Sequence, residues 1–290
     1  MTAPAVTVLG TSTMGAGMVR SLRRAGIPVR MWNRDPDKAR ALTDTGAEAF
    51  DTPEEAVAGA GVVLTMLLDA DPVLEVIRQA APAPGTIWLQ CSTVGIEGSD
   101  RIAAAAQELG LVLVDCPVLG TKKPAEDGAL VMLASGPEDA RGTIAPLLDA
   151  MGSKTLWLGE AGAGSRLKLA CNAWVFMVTA GVAQSVALTR ALGLDPRDFL
   201  AAIDGGPLDS PYVHVKSTNM LDEDYPVSFG LTGAAKDARL IVSALQESGV
   251  SDRLTAAVLE TMESAIGRLP DPGAVDMAAV IAGLPENTAA

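Results

Sequence analysis

Lys168 and Asn172 stand four residues apart in Gly162-x-Gly164-x-x-x-Lys168-x-x-x-Asn172, so on a helix they share a face and can address one bound atom. Leu167, Leu169 and Ala170 flank the lysine. Apolar surroundings disfavour the ammonium, which suits a side chain that gives and takes protons. A lysine snorkelling from a helix start is the plainer reading of the same residues. The other half of such a reaction is indicated at the N-terminus. Val6-Thr-Val-Leu-Gly10-Thr-Ser-Thr-Met-Gly15 reads as strand, glycine turn and helix start. That unit presents free backbone N–H groups at the positive end of a helix dipole, where a pyrophosphate binds. Gly10, Thr11, Ser12, Thr13 and Met14 are its candidate contacts, with Ser12 where the fingerprint has its middle glycine. The next strand ends on Asn33-Arg34, without the acid that accepts the ribose hydroxyls of NAD. An amide and a guanidinium suit the extra phosphate of NADP, so NADPH is the expected cofactor.

Three further segments offer polar groups at strand or helix ends. Gln90-Cys-Ser92-Thr93 ends a strand at the edge where open α/β sheets bind ligands. Its hydroxyls either cap the following helix or meet nicotinamide or substrate. In Asp115-Cys-Pro117-Val-Leu119-Gly120-Thr121-Lys122-Lys123-Pro124-Ala-Glu-Asp-Gly128, the glycines, Thr121 and Lys122 can present donors to a carboxylate. A solvated lysine pair in a hairpin is the alternative, and Lys123 fits it better. Phe229-x-Leu-x-x-x-x-Lys236-Asp237 opens a late helix, from which Lys236 can reach a cofactor or substrate anion. Asp237 is a substrate contact or simply a first-turn acid stabilised by the helix dipole. One histidine, His214, and three scattered cysteines supply no zinc-ligand set, so no metal is expected. Tyr212-Val-His-Val-Lys216 imitates the Tyr-x-x-x-Lys pair of short-chain dehydrogenases, but follows Pro211 far from the nucleotide-binding half and reads as coincidence.

The elements that must position these groups divide in two. Short apolar strands at Val6–Gly10, Val29–Asn33, Glu48–Phe50, Val62–Leu67, Thr86–Ser92, Val112–Val118, Leu130–Ser135 and Thr155–Leu158 alternate with helical stretches. That alternation predicts a mainly parallel, doubly wound sheet over residues 1–162. Residues 112–118 and 130–135 leave no room for a full helix between them, which predicts an antiparallel extension at the sheet edge. From about Gly164 only helical patterns follow, giving an all-α domain over residues 163–290. Its first helix, Ser165–Leu192, is apolar on nearly every face and roughly 42 Å long. Such a helix must be buried all round, and a homodimer of embracing helical domains is the expected solution. Beyond it lie helices at Pro196–Ile203, Leu231–Glu247 and Arg253–Arg268, a short helical patch at Met220–Leu221 near a Pro-rich loop, and a loosely packed tail after Pro270.

Composition narrows the function. A chain of 290 residues with 49% apolar and 20% charged residues is globular and long enough for two domains. A net charge of −13 argues against nucleic acid or an anionic membrane as partner, so local cations must hold any anionic ligand. The odd set Cys91, Cys116 and Cys171 indicates buried thiols in a reducing cytoplasm. Met1-Thr-Ala-Pro-Ala has no basic leader, and the most apolar run, Ala173 to Ala183, is shorter than the roughly 18 residues of a spanning helix. A soluble cytoplasmic protein is expected.

Together these motifs resemble the β-hydroxyacid dehydrogenase family, related to 3-hydroxyisobutyrate and 6-phosphogluconate dehydrogenases. Gly10-x-x-x-Met14-Gly15-x-x-Met18 is similar to its cofactor turn, and Ser92-Thr93 to its Ser-Thr segment. Pro117 to Gly128 is similar to its substrate loop, Lys168 and Asn172 to its catalytic pair, and Lys236-Asp237 to its late Lys-Asp motif. The resemblance implies a Rossmann domain with an extra α/β unit, followed by a helical dimerising domain. It also implies cofactor contacts at Leu67, Leu68, Thr93, Phe229 and Lys236, and substrate contacts at Ser92, Thr93, Leu119, Gly120, Thr121, Lys122 and Asp237. Lys122-Lys123-Pro-Ala-Glu-Asp-Gly128 is most similar to the NADPH-using glyoxylate and succinic semialdehyde reductases. The family's loop usually has a serine where Leu119 stands, which opens the site to less polar carbonyls or to the imines of the related imine reductases. Those relatives generally lack the lysine. The expected activity is therefore NADPH-dependent reduction of small aldehyde or keto acids, with an imine reductase and a non-catalytic NADP-binding module as the alternatives.

Overall fold

The computed structural model describes residues 5–284, so the leader reading at Met1–Pro4 and the last residues of the tail lie outside it. The chain divides into two units, residues 1–168 and 169–290, with the division inside one long helix.

The first unit is built on β1 (Val6–Leu9), β2 (Val29–Trp32), β3 (Glu48–Ala49), β4 (Val62–Thr65), β5 (Ile87–Gln90) and β6 (Val112–Asp115). All pair in parallel in the order β3-β2-β1-β4-β5-β6, the doubly wound arrangement. Every residue of β1, β4 and β5 is buried, because helices cover both faces. Val8, Met31, Leu64 and Leu89 fill one layer of core, and Leu9, Val63 and Trp88 the other. The connecting helices are α1 (Thr13–Arg24), α2 (Pro36–Arg40), α3 (Pro53–Val57), α4 (Ala70–Ala80) and α5 (Gly95–Glu108). Strand order reverses between β1 and β4, so their carboxyl ends flank a crevice suited to a ligand.

The expected strand 112–118 breaks after Asp115, and the edge extension is instead a separate small sheet. Pro117 lacks the N–H that would continue the ladder. The chain restarts as β7 (Val118–Leu119), antiparallel to β8 (Leu130–Ala134), which pairs in parallel with β9 (Gly152–Trp157). A single antiparallel bridge, Asp115 to Ser135, joins the two sheets. A six-residue helix, α6 (Lys122–Asp127), fits where none was expected, closed by Gly128 at φ 71°. Helix α7 (Glu138–Met151) returns the chain to β9.

The second unit is helical: most of α8 (Ala163–Ala191), then α9 (Pro196–Ile203), α10 (Pro211–Asp222), α11 (Leu231–Glu247) and α12 (Arg253–Arg268). Helix α10 corrects the Met220–Leu221 patch. Pro211 occupies its first turn and the Ser210 hydroxyl accepts from Val213 N, so the proline starts a helix here. The tail is also tighter than expected. Met277–Gly283 forms a 3₁₀ segment against α12, with Met277 to Val280 fully buried.

Helix α8 departs from the expectation that its apolar stretch is too short to span a membrane. Its 29 residues include a window of mean hydropathy 1.4, long and apolar enough to cross a membrane on those grounds alone. Yet only 39% of that window is buried, and Trp174 is 70% exposed. All-round burial is not achieved within one chain.

Candidate functional site

The glycine turn, Asn33, Leu67, Ser92 and Pro117 all follow the carboxyl ends of the parallel strands, at the edge where this fold binds ligands. Gly10 takes φ 105°, and a Cβ there would run into the Met66 carbonyl. Ser12 has an ordinary φ of −72°, so a side chain replaces glycine without strain. It precedes α1 but its hydroxyl makes no cap hydrogen bond, leaving the first N–H groups of the helix available. Beside it, the Thr11 hydroxyl is buried without a hydrogen-bond partner among the described residues. A buried donor facing an open turn and free helix N–H groups fits the phosphates of a dinucleotide. The residues present therefore accommodate the cofactor that the fold implies.

At the second-strand tip the two residues have separate contacts. Asn33 Oδ1 accepts from Thr11 N at 2.9 Å while its amide donates to Asp35 O at 2.9 Å, so Asn33 braces the glycine turn. Arg34 is exposed and loosely paired with Glu75 at 3.4 Å. Two cations that sequence reasoning missed, Arg20 and Lys38, line an open pocket of about 330 Å³ with Thr11, Ser12 and Thr13. The helical spacing from the turn to Arg20 could have pointed to it. Leu67 covers Gly10, and Leu68 next to it is exposed.

At the end of β5, Ser92 is fully buried: its hydroxyl accepts from Leu67 N at 2.8 Å, and its backbone is clamped by the Gln90 amide. It does not cap α5, whose preceding residue is Val94. Thr93 is half-buried at the same turn. Around the small sheet, Leu119 is half-buried, Gly120 exposed at φ 125°, and Thr121 precedes α6 without capping it through its side chain. Lys122 is exposed. Lys123 pairs with Asp127 along α6, which is the solvated role expected for it.

Lys168 lies near the start of α8, 8% exposed, with Nζ donating to Val118 O at 2.7 Å. Its ammonium is thus carried to the head of the Pro117–Gly128 segment. One turn further along the helix, the buried Asn172 donates from Nδ2 to Asp237 Oδ2 at 2.8 Å. Asp237 also pairs with Lys236 at 2.6 Å. Helix α11 starts at Leu231, so Asp237 sits in the second turn, and the first-turn dipole reading does not hold. Phe229 lies just before that helix and packs on Phe176, ring centroids 5.9 Å apart.

Two other clusters lie in the helical unit. Tyr212 is on α10 as Pro211 directs, its hydroxyl 2.9 Å from Thr179 Oγ1. Burial pushes its pKa up to about 12. The fold also brings Asp204, Asp209 and His214 together, a grouping the histidine-and-cysteine reading did not consider. There His214 Nε2 meets Asp209 Oδ1 at 2.6 Å, and the Gly205 N–H holds the Asp209 carboxyl below its usual range.

Comparison with known proteins agrees with this geometry. Residues 5–159 match the NAD binding domain of 6-phosphogluconate dehydrogenase, and residues 162–284 the NAD-binding domain of NADP-dependent 3-hydroxyisobutyrate dehydrogenase. The chain is 32% identical to glyoxylate/succinic semialdehyde reductase 2 of Arabidopsis thaliana, over 87% of this chain and 72% of that protein. The structure of 3-hydroxyisobutyrate dehydrogenase from Mycobacterium tuberculosis with L-serine superposes with a TM-score of 0.85 at 26% identity, covering 97% of this chain and 99% of that one. An imine reductase from Pseudomonas sp. shares the fold at a TM-score of 0.63 and 22% identity, covering 98% of this chain and 100% of that one.

Proposed function

Because the chain belongs to the β-hydroxyacid dehydrogenase family related to 3-hydroxyisobutyrate dehydrogenase, we propose that it is an NADPH-dependent reductase of small aldehyde or keto acids, reversible as a dehydrogenase. Its relatives support NAD(P)-dependent chemistry of this type. The observation that carries the reading is Lys168, buried and hydrogen-bonded to a neutral carbonyl at the head of the substrate segment. A bound nicotinamide dinucleotide supplies the hydride. Lys168 donates its proton to the carbonyl oxygen as negative charge develops there, and takes one back in the reverse direction. Asn172, one helical turn beyond Lys168 and held by Asp237 through its amide nitrogen, orients Lys168 or the substrate. Thr93, Gly120, Thr121 and Lys122 bind the substrate's acid end, and Ser92 shapes the turn beneath them.

Preference for NADPH is supported by three cations near the glycine turn, two of them in long, exposed pairs with acids, Arg34 with Glu75 and Lys38 with Asp35. Arg20 and Lys38 flank the pocket beside the glycine turn, and Arg34 lies at the neighbouring strand tip. The extra phosphate of NADPH meets guanidinium and ammonium groups there, in a protein of net charge −13. The exposed Trp174 and Leu188 of α8 support a homodimer formed through this helix. The free thiols of Cys91 and Cys116, both buried, suit a reducing cytoplasm.

A second reading, imine reduction, is favoured by Leu119, which offers no hydroxyl to a carboxylate. The experiment that decides is consumption of NADPH and NADH with a panel of semialdehydes, keto acids and cyclic imines. Faster turnover of a semialdehyde or keto acid with NADPH is expected, and turnover of cyclic imines alone would overturn it. Leu119→Ser should raise efficiency on carboxylate-bearing substrates relative to uncharged ones.

A further inference from the structure

The buried carboxylate of Asp115 enters no step above, yet its contacts converge on the first turn of the helix that carries Lys168. Ser165 N donates to Oδ2 at 2.8 Å, and Ser165 Oγ donates to Oδ1 at 2.7 Å. Ser135 Oγ lies 3.3 Å from Oδ2 and itself accepts from Gly164 N at 2.9 Å. Gly164 permits this approach, since a Cβ there would stand 3.1 Å from the Asp115 carbonyl oxygen and closer still to that of Leu133. Three residues beyond Asp115, Val118 O receives the Lys168 ammonium. Lys168 is likewise three residues beyond Ser165. The segments 115–118 and 165–168 are therefore joined at both ends.

This double attachment has a mechanical meaning. A helix gripped only at its start can roll, and a lysine held only by its tip can swing about four single bonds. Fixing Ser165 sets the roll of the first turn, and with it the direction from which the Lys168 side chain leaves the helix. We propose that Asp115 is a positioning residue for Lys168, acting through Ser165 to set where the ammonium presents its proton. The inference rests on the reading of Lys168 as proton donor. Both carboxylate oxygens are needed, because one accepts an amide N–H and the other a hydroxyl. An asparagine would turn an NH₂ group toward one of those donors. Burial pushes the Asp115 carboxyl up, while the hydrogen bonds from Ser165 and Ser135 pull it back.

The test is a double-mutant cycle with Asp115→Asn, Ser165→Ala and Lys168→Ala, read in turnover number, NADPH dissociation constant and solvent deuterium isotope effect. Asp115→Asn should lower kcat by about tenfold to a hundredfold, the cost of a misplaced reacting group, with little change in NADPH affinity. Its solvent isotope effect should rise as proton transfer becomes slower. In the Lys168→Ala background the same change should cost almost nothing more. Ser165→Thr, which keeps the hydroxyl, should restore what Ser165→Ala loses. An equal loss in both backgrounds would assign Asp115 to the fold alone and overturn the proposal, as would an unchanged kcat. If Asp115→Asn does not fold, Ser165→Ala, which removes one contact, carries the same cycle. Full turnover in Lys168→Ala by itself would remove the proton-donor reading and this inference with it. Collapse of Lys168→Ala with an additive Asp115→Asn would remove the inference alone.

Discussion

Lys168 and Lys216 are both buried lysines on helices, and the acceptors seen for them differ. Lys216, 1% exposed, pairs with Asp276 at 2.5 Å. That carboxylate also accepts from the backbone of Ser228, Phe229 and Ala278 and from the Ser228 hydroxyl. Lys168 donates to the backbone carbonyl of Val118. A lysine paired with a carboxylate keeps its proton, because giving it up would strand a buried charge. A hydrogen bond to a neutral carbonyl carries no such penalty of its own. Lys216 joins α10 to the 3₁₀ segment through its acid, whereas Lys168 reaches from α8 to the head of the Pro117–Gly128 segment.

The most forceful way to break this comparison is Lys168→Ala. Turnover should fall by about 10²–10⁴ while NADPH binding and the thermal melt stay close to those of the parent. Retention of more than about a tenth of turnover would make Lys168 structural. Lys216→Met should behave in reverse. Leaving Asp276 unpaired should cost about 3–5 kcal/mol of stability, measured by denaturant titration, while the folded fraction still turns over. Lys38 extends the contrast to a lysine in solvent. Arg20→Ala or Lys38→Ala should raise the Michaelis constant for NADPH by about tenfold, the weight of one charge-assisted contact, and leave that for NADH unchanged.

The smallest effect separates the two acids behind these lysines. Burial raises the Asp276 carboxyl, but Lys216 and the hydrogen bonds lower it further, so its net position is below the usual aspartate range. It therefore contributes stability above the ordinary aspartate pKa that is lost as pH falls through the depressed value. Asp115, raised by burial, has the opposite sign: its contribution declines as pH climbs from the ordinary value through the raised one. Melting temperature against pH should lose part of its acid limb in Asp276→Asn and not in Asp115→Asn.

Much of this was legible before folding. The parallel sheet could be read because strands covered on both faces are continuously apolar, and the glycine turn because Gly10 is required at a positive φ. Lys168 could be singled out by its apolar neighbours and its spacing from Asn172. What stayed hidden were pairings that leave no period in the chain. Asn172 and Asp237 are 65 residues apart, and Lys216 and Asp276 are 60. The strand break at Pro117 was a local signal outweighed by the apolar residues on either side. Burial of Met277 to Val280 depends on α12, which the short apolar run alone could not announce.

The Asp115–Ser165 attachment also bears on the order in which the protein becomes competent. Its partners lie 50 residues apart, and the Ser135 that completes it is 20 residues from Asp115. Closing such loops is entropically costly until the intervening elements have condensed. The first turn of α8 therefore acquires its fixed attitude only after β6 and β8 have met through the Asp115–Ser135 bridge. Activity should then appear late in refolding, after the sheet signal is complete. Hydrogen exchange offers the check: the Ser165 amide, though at a helix start where N–H groups ordinarily exchange fast, should be as protected as the amides of β6.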